Sequence, residues 1–223
     1  MANCYLHILD RIWQRQHLKG KLQAHLVRYA DDFVVMCRQG VQEPLTVVRH
    51  VLERLGFSLN EAKTQVVEAT EARFNFLGFS IQMSRGVRTG KPRPNVRPAD
   101  KSLMKIKTKL TALTGRELTA IPLGDIVGSL NRSLRGWVNY FHYRNSSLAM
   151  SKVRNHAEQR LRTHLMKRHK VRDRGAGLRR FPRADLYGRS GYTKFQQSRA
   201  GARCMPWHEE HRKAVCGQTA CTV

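Results

Sequence analysis

Acidic residues are scarce in this 223-residue chain: 16 Asp+Glu stand against 41 Lys+Arg, a formal net charge of +25. That balance excludes the behaviour of an ordinary near-neutral globular protein and points to a polyanionic partner. Long apolar runs are also missing. None reaches the roughly 18 residues that a membrane-spanning helix needs, so no membrane partner is expected. The N-terminus MANCYLHILDRIW has neither a basic leader nor a small-residue cleavage site, and no secretory signal is read there. Cysteine is sparse and irregularly spaced: Cys4, Cys37, Cys204, Cys216 and Cys221. An odd count at such spacing does not make a disulfide framework and fits a reducing, cytoplasmic setting. Internal repeats are absent.

What is present is a hydrophobic fraction of 41%, enough to bury a core. The charge is unevenly placed. Residues 1–85 carry 11 Lys+Arg against 8 Asp+Glu, whereas residues 86–223 carry 30 against 8. Such a split suggests two modules with different tasks, the second of them the polyanion binder.

Residues 1–85 read as helix, hairpin, helix, strand, strand, an α+β layer. Tyr5, Ile8, Leu9, Ile12 and Trp13 have helical spacing. HLVRYA and DFVVMCR are short β-forming runs on either side of two aspartates. Leu45, Val48, Leu52 and Leu55 line a second helix that stops at Gly56. Residues 86–98, rich in Gly, Pro and Arg, read as a basic linker. Residues 99–168 then give three amphipathic helices. Their stripes are Leu103, Ile106, Leu110 and Leu113; then Ile126, Leu130, Leu134, Trp137 and Phe141; then Leu148, Val153, Ala157, Leu161 and Leu165. Residues 169–223, with many Arg and Gly and few apolar anchors, read as a basic, poorly ordered tail.

The pair Asp31-Asp32 admits two readings. Asp is at home in turns, where its carboxylate bonds to nearby backbone N–H groups. The other reading is chemical. Phosphoryl transfer through two divalent ions needs several hard oxygen ligands converging on one small site. A rigid hairpin with carboxylates at its tip supplies part of such a set.

The order of the surrounding motifs adds to this. Tyr29-Ala30-Asp31-Asp32 is followed by Leu55, Gly56, Ser58, Leu59, Asn60, Lys63 and Thr64, and then by FNFLGF, Phe74 to Phe79. Together these resemble successive palm motifs of group II intron-encoded reverse transcriptases. LNRSLRGWVNYFHY, Leu130 to Tyr143, resembles the maturase signature of the same family. The resemblance covers about residues 2–190 and implies a fold: the C-terminal part of a reverse transcriptase palm over 1–85, and a helical thumb/maturase domain over 99–168.

The resemblance also implies roles. Asp31 would ligate catalytic Mg²⁺ (or Mn²⁺) with Asp32 assisting, and Lys63 would sit by the leaving pyrophosphate of an incoming dNTP. Tyr29, Ala30, Asn60, Phe76, Leu77, Gly78 and Phe79 would contact nucleotide or primer. Lys63 reads equally well as a solvated turn lysine, and Phe76 to Phe79 partly as core. In the helical module, Lys101, Lys105, Arg132, Arg135, Tyr140, Tyr143 and Arg144, with His142, would bind intron RNA through phosphates and unpaired bases. Trp137 reads as core.

The family carries a further metal-binding aspartate on an earlier strand. Before Asp31 this chain has only Asp10, mid-helix, which reads as structural. The expectation is therefore a C-terminal portion that does not polymerise DNA by itself. Its missing half would come from another chain or a second copy. Two functions stay open: an RNA-directed DNA polymerase acting on RNA template and DNA primer, and a non-enzymatic RNA-binding splicing cofactor. Cys204, His208, His211, Cys216 and Cys221 contain zinc-capable side chains, but their spacing forms no paired knuckles.

Overall fold

The structure of the protein, a computed structural model, describes residues 2–86, 90–188 and 213–220. The chain mixes helix and sheet and divides into two compact units, Met1–Asn95 with Cys204–Val223, and Val96–Arg203.

The first unit opens with α1 (Ala2–Arg15), a short α2 (Leu18–Lys21) and the hairpin β1 (Ala24–Tyr29) and β2 (Asp32–Cys37). Then come α3 (Gln42–Arg54), β3 (Ser58–Leu59), β4 (Gln65–Glu68), β5 (Phe74–Phe76), β6 (Phe79–Arg85) and β7 (Pro92–Pro98), in which the division between the units falls. The inward edge of α1 is Leu6, Leu9 and Trp13, all buried, while Tyr5 and Ile8 of the expected stripe are exposed. The spacing was right, but the buried arc lies about one residue round from its predicted centre. Ile8 and Ile12 instead line a groove shared with Val47, His50, Val51 and Arg54 of α3.

Phe33, Val35 and Cys37 of β2 pack in one core with Leu6, Leu9 and Trp13 of α1 and with Val48, Val51 and Leu52 of α3. The alternate residues Val34 and Met36 point to the opposite sheet face and are buried as well. Burial pushes the Cys37 thiol up to about 11, so it stays protonated and packs as a small apolar group.

β2 is not an edge. It pairs antiparallel with β1 on one side and with β8 (Lys213–Ala220) on the other. β8 in turn pairs antiparallel with both β3 and β4. A strand from the far end of the sequence therefore lies inside the sheet, between elements that come within the first 70 residues. A second, three-stranded sheet runs in the order β5-β6-β7. Leu77 (φ 50°) and Gly78 (φ 78°) make its tight turn, with Phe76 opposite Phe79. Two consecutive positive φ angles define the hairpin turn whose twist matches the strands, and a glycine at the second position suits it.

The second unit holds α4 (Asp100–Ala112), a 3₁₀ turn (Arg116–Leu118), α5 (Leu123–Phe141), α6 (Ser147–Arg168), α7 (Arg174–Arg180) and α8 (Arg183–Gly188). Ile106 and Leu110 of α4, Ile126, Leu130 and Leu134 of α5, and Val153, Ala157, Leu161 and Leu165 of α6 share one core. Trp137 packs against that core and tilts over Phe141 at 4.9 Å between ring centroids. Leu148 is exposed and Ala149 takes its place inside.

Two expectations need correcting at the level of elements. The stretch read as a linker contains β7, where Pro94, Val96 and Pro98 are buried. The stretch read as a poorly ordered tail contains two helices and, further on, β8. Asp173 caps α7 by accepting from the Ala176 N–H at 2.5 Å. Gly177 allows α7 to lie against Met166 of α6. Arg183 of α8 donates to Glu158 of α6 at 2.9 Å, and Leu186 is fully buried. Few anchors suffice because each one meets the preformed α6. Of the C-terminal Cys/His cluster, Cys204, His208, His211 and Cys221 lie outside the described residues, and Cys216 falls within β8.

Within the second unit, His156 bonds to Thr111 Oγ1 (3.1 Å) and to the Lys107 carbonyl (3.2 Å). Burial lowers its pKa from 6.5, opposed by the bond to the Lys107 carbonyl and helped by the positive charges of Lys107 and Arg160. The unfolded chain therefore binds this proton more readily than the folded one. Its contribution to stability is present above about pH 6.5 and is lost as pH falls through the folded pKa. Thermal melts between pH 7 and pH 5 should show the helical unit losing stability, and His156→Gln should flatten that dependence.

Candidate functional site

The first candidate site is the turn of the β1–β2 hairpin. Tyr29 pairs with Asp32, so Ala30 and Asp31 form a two-residue loop. Ala30 has φ 54°, a left-handed conformation that costs an L-residue about 1 kcal/mol. A side chain holds it there. The Arg28 guanidinium donates from Nη1 to the Ala30 carbonyl at 2.7 Å and to Asn3 of α1. From Nε (3.0 Å) and Nη2 (2.6 Å) it forks onto Asp10 of α1. The Arg28 side chain is 11% exposed and that of Asp10 26%. This is a charge-assisted, two-pronged clamp between helix and turn, largely out of water.

Asp10 is thus structural, as its mid-helix position suggested, but its partner was not foreseen. A signal existed: Arg28 is the one basic residue within LVRYADDFVVMC, and an inward-facing cation needs an acidic partner. The clamp leaves Asp31 exposed and Asp32 half-buried at the tip, with Tyr29 66% exposed beside them.

The register brings a second predicted group to the same end of the sheet. Asp32 lies opposite Gln218 of β8, and Leu59 lies opposite the adjacent Thr219 on the other side. Two strand spacings put the backbones of β2 and β3 roughly 10 Å apart there. Leu59 leads directly into the turn Asn60–Thr64, where the N–H groups of Lys63 and Thr64 both donate to the Asn60 carbonyl, at 3.0 and 2.9 Å. The Thr64 hydroxyl donates to the same oxygen at 2.8 Å. Lys63 is exposed on this turn. The predicted Phe76-Leu77-Gly78-Phe79 group is the turn of the other sheet, with all four residues half-buried.

The second candidate site is the surface of the helical unit. Lys101 and Lys105 are exposed, one helical turn apart on α4, with Lys109 one turn further and Met104 beside them 71% exposed. On α5, Arg132, Arg135, Asn139 and Tyr140 are all exposed at spacings that share a face. Arg132 is held toward Ser129 Oγ at 3.0 Å. At the end of α5, Arg144 lies over the Tyr143 ring at 5.8 Å from its centroid and bonds its hydroxyl. The His142 ring nitrogen Nδ1 lies 2.8 Å from the Asn139 carbonyl. The surface is cationic with interleaved aromatic rings, the composition that suits phosphates and unstacked bases. No helix among the described residues is long and apolar enough to cross a membrane.

Residues 1–81 match the family described as reverse transcriptase (RNA-dependent DNA polymerase). The hairpin bearing Asp31 and Asp32 lies within that matched stretch. Residues 103–181 match the group II intron, maturase-specific domain. With both domains in one chain and in this order, the protein belongs to the group II intron reverse transcriptase/maturases. No curated protein matches the chain. Intron RNA and nucleic-acid substrates follow from the two domains.

Reverse transcriptases work with divalent metal ions. The described residues do not complete a site for one. Asp31 and Asp32 supply two carboxylates, and among the described residues no three of His, Cys, Asp and Glu come together as a metal-holding group.

Arg28→Ala should free the turn from α1 and leave Asp10 without its guanidinium. It should lower the stability of the first unit by about 2 kcal/mol and raise hydrogen exchange across residues 24–37. Arg28→Lys should recover only part, because an ammonium cannot fork across Asp10 and the Ala30 carbonyl together.

Proposed function

We propose that this chain binds structured intron RNA through the exposed cationic faces of α4 and α5, as a thumb/maturase module. In this reading the β1–β2 turn is the acidic part of a polymerase palm, its Asp31 and Asp32 two of the ligands for Mg²⁺, with Mn²⁺ as a substitute. Lys63, on the turn at the same end of the sheet, would meet the phosphates of a dNTP. The tip residues Tyr29 and Ala30, the Asn60 turn and the Phe76–Phe79 turn would meet nucleotide and primer.

One observation carries the proposal. The helical unit, of which residues 103–181 match the maturase-specific domain, presents Lys101, Lys105, Arg132 and Arg135 outward over a core of Ile106, Leu110, Ile126, Leu130, Leu134, Val153, Ala157, Leu161 and Leu165. Cations held at the surface in this way are open to a polyanion. Each phosphate they neutralise releases a counterion, so binding is steeply salt-dependent.

RNA binding needs only this surface. Polymerisation needs a third carboxylate beside Asp31 and Asp32, because phosphoryl transfer is catalysed almost entirely by positioning and electrostatic stabilisation. The chain by itself is thus proposed to bind intron RNA without extending a primer.

The test is a filter-binding titration of a group II intron RNA at several salt concentrations. Replacing Lys101, Lys105, Arg132 and Arg135 together by Ala should weaken binding by about 10- to 100-fold and make the log–log salt slope shallower by about 3. An unchanged slope would remove these four residues from the interface. The pair Asp31→Ala and Asp32→Ala should leave RNA affinity unaltered. In any assembly that supplies the missing carboxylate, the same pair should abolish cDNA synthesis.

A further inference from the structure

Neither candidate site uses the polar column along α6. His156, Arg160, His164 and Arg168 follow one another at four-residue spacing, so they share one edge of that helix. The edge faces the end of α4 and the connection from α4 to α5. His156 bonds to Thr111 Oγ1 and the Lys107 carbonyl at its head. Arg160 donates from Nε to Thr114 Oγ1 at 3.1 Å and from Nη2 to the carbonyls of Thr111 and Thr114, each at 3.4 Å. Arg168 donates from Nη1 to the carbonyls of Thr119 (3.2 Å) and Ile121 (2.5 Å). His164, one turn from each arginine, is fully buried, and neither of its ring nitrogens has a hydrogen-bond partner among the described residues. It contributes bulk, and the polar fixing falls to the two arginines.

Their acceptors lie at the two ends of one connection. Thr111 and Thr114 are at the C-terminus of α4, where the last carbonyls lack a partner within the helix and carry the negative end of its dipole. Thr119 and Ile121 come just before Pro122, at the entry to α5, which has no side-chain cap. Just over two turns of α6, about 12 Å of helix, therefore set the distance from where α4 ends to where α5 begins. Those are the helices that carry Lys101, Lys105, Arg132 and Arg135.

We propose that Arg160 and Arg168 are positioning residues for RNA. They fix the separation of α4 and α5, so that the cationic faces of the two helices meet phosphates as one preset array. The proposal rests on the reading of those faces as the RNA-binding surface. Each arginine acts through the helices it joins and not through a phosphate of its own. The physical reason is preorganisation: charges held at fixed spacing lose little freedom when a polyanion arrives, whereas helices free to swing must first be ordered, which weakens binding. A guanidinium suits this task, because its charge strengthens the bonds it donates and its fork reaches two carbonyls at once.

A salt titration separates the two roles an arginine can have. A phosphate contact adds about 0.7 to 0.9 to the log–log slope. A positioning residue changes affinity at every salt concentration and leaves the slope alone. The experiment is filter binding of a group II intron RNA by the full chain, wild type against the double variant Arg160→Gln, Arg168→Gln, with hydrogen–deuterium exchange on the free proteins. The double variant should bind roughly tenfold more weakly at each salt concentration with the wild-type slope. Exchange at residues 114–121 should rise by about tenfold. A slope shallower by about 1.5 would make the arginines phosphate contacts and overturn the proposal. Unchanged exchange would overturn it too, and so would raised exchange with unchanged affinity, which leaves the arginines a role in the fold alone. A wild-type chain without salt-dependent binding would instead overturn the surface reading beneath the proposal.

A second variant gives the same reading without removing a charge, and serves where the double variant does not fold. Two glycines inserted between Ala120 and Ile121 part the two acceptors of Arg168 and lengthen the connection. Binding should weaken by a similar factor, again at constant slope. Full affinity in the insertion variant would overturn the proposal.

Discussion

A β-strand buried along its length must have hydrogen-bond partners on both edges, because a backbone amide without water or partner costs about as much as the bond it lacks. β2 is such a strand, and the acidic turn at its start is only as well placed as β2 itself. On one edge it has β1, joined through the turn that Arg28 clamps to α1. On the other it has β8, which reaches it from beyond residue 212. The position of Asp31 and Asp32, the closure of the five-stranded sheet and the burial of Phe33 to Cys37 all follow from that double pairing.

The two units solve opposite electrostatic problems. In the first, residues 1–85 are nearly balanced in charge, and the acid–base pair that matters most, Asp10 with Arg28, is used internally to hold a strained alanine in a left-handed turn. In the second, the excess of cations is left outward over a core of aliphatic side chains, and buried charge is confined to places such as Glu158 with Arg183. One unit uses its ions to position a turn, and the other leaves them exposed to polyanions. Membership of the reverse transcriptase/maturases accounts for both habits within one polypeptide.

Much of this was legible in the sequence. The hairpin bounds around Ala30-Asp31, the helix stopping near Gly56 and the three amphipathic stripes all follow from apolar period and turn chemistry, which are local. The errors were local rules meeting non-local partners. Leu148 fits a helical stripe, yet α6 turns Ala149 inward, because the neighbouring helices set which arc faces the core. The Pro- and Arg-rich segment before α4 has the composition of a linker, yet β6 offers it a ladder and Val96 a buried position. The Arg- and Gly-rich stretch after His169 has few anchors of its own, but α6 supplies a surface to which Gly177 and Leu186 fit.

The sequence by itself determined the chemistry available: two adjacent carboxylates on a tight turn, a cationic helical half, and an ordered set of motifs that names the family. Those properties depend on residue type and on spacings of a few residues. The tertiary structure alone decided which partners meet across distance. It brought Asp10 to Arg28 over 18 residues, and set Gln218 across from Asp32 after a separation of more than 180. Neither contact has a periodic or compositional signature, because strand pairing is made through the backbone, which every residue shares, and a long-range ion pair requires only that the fold deliver its two ends to one place.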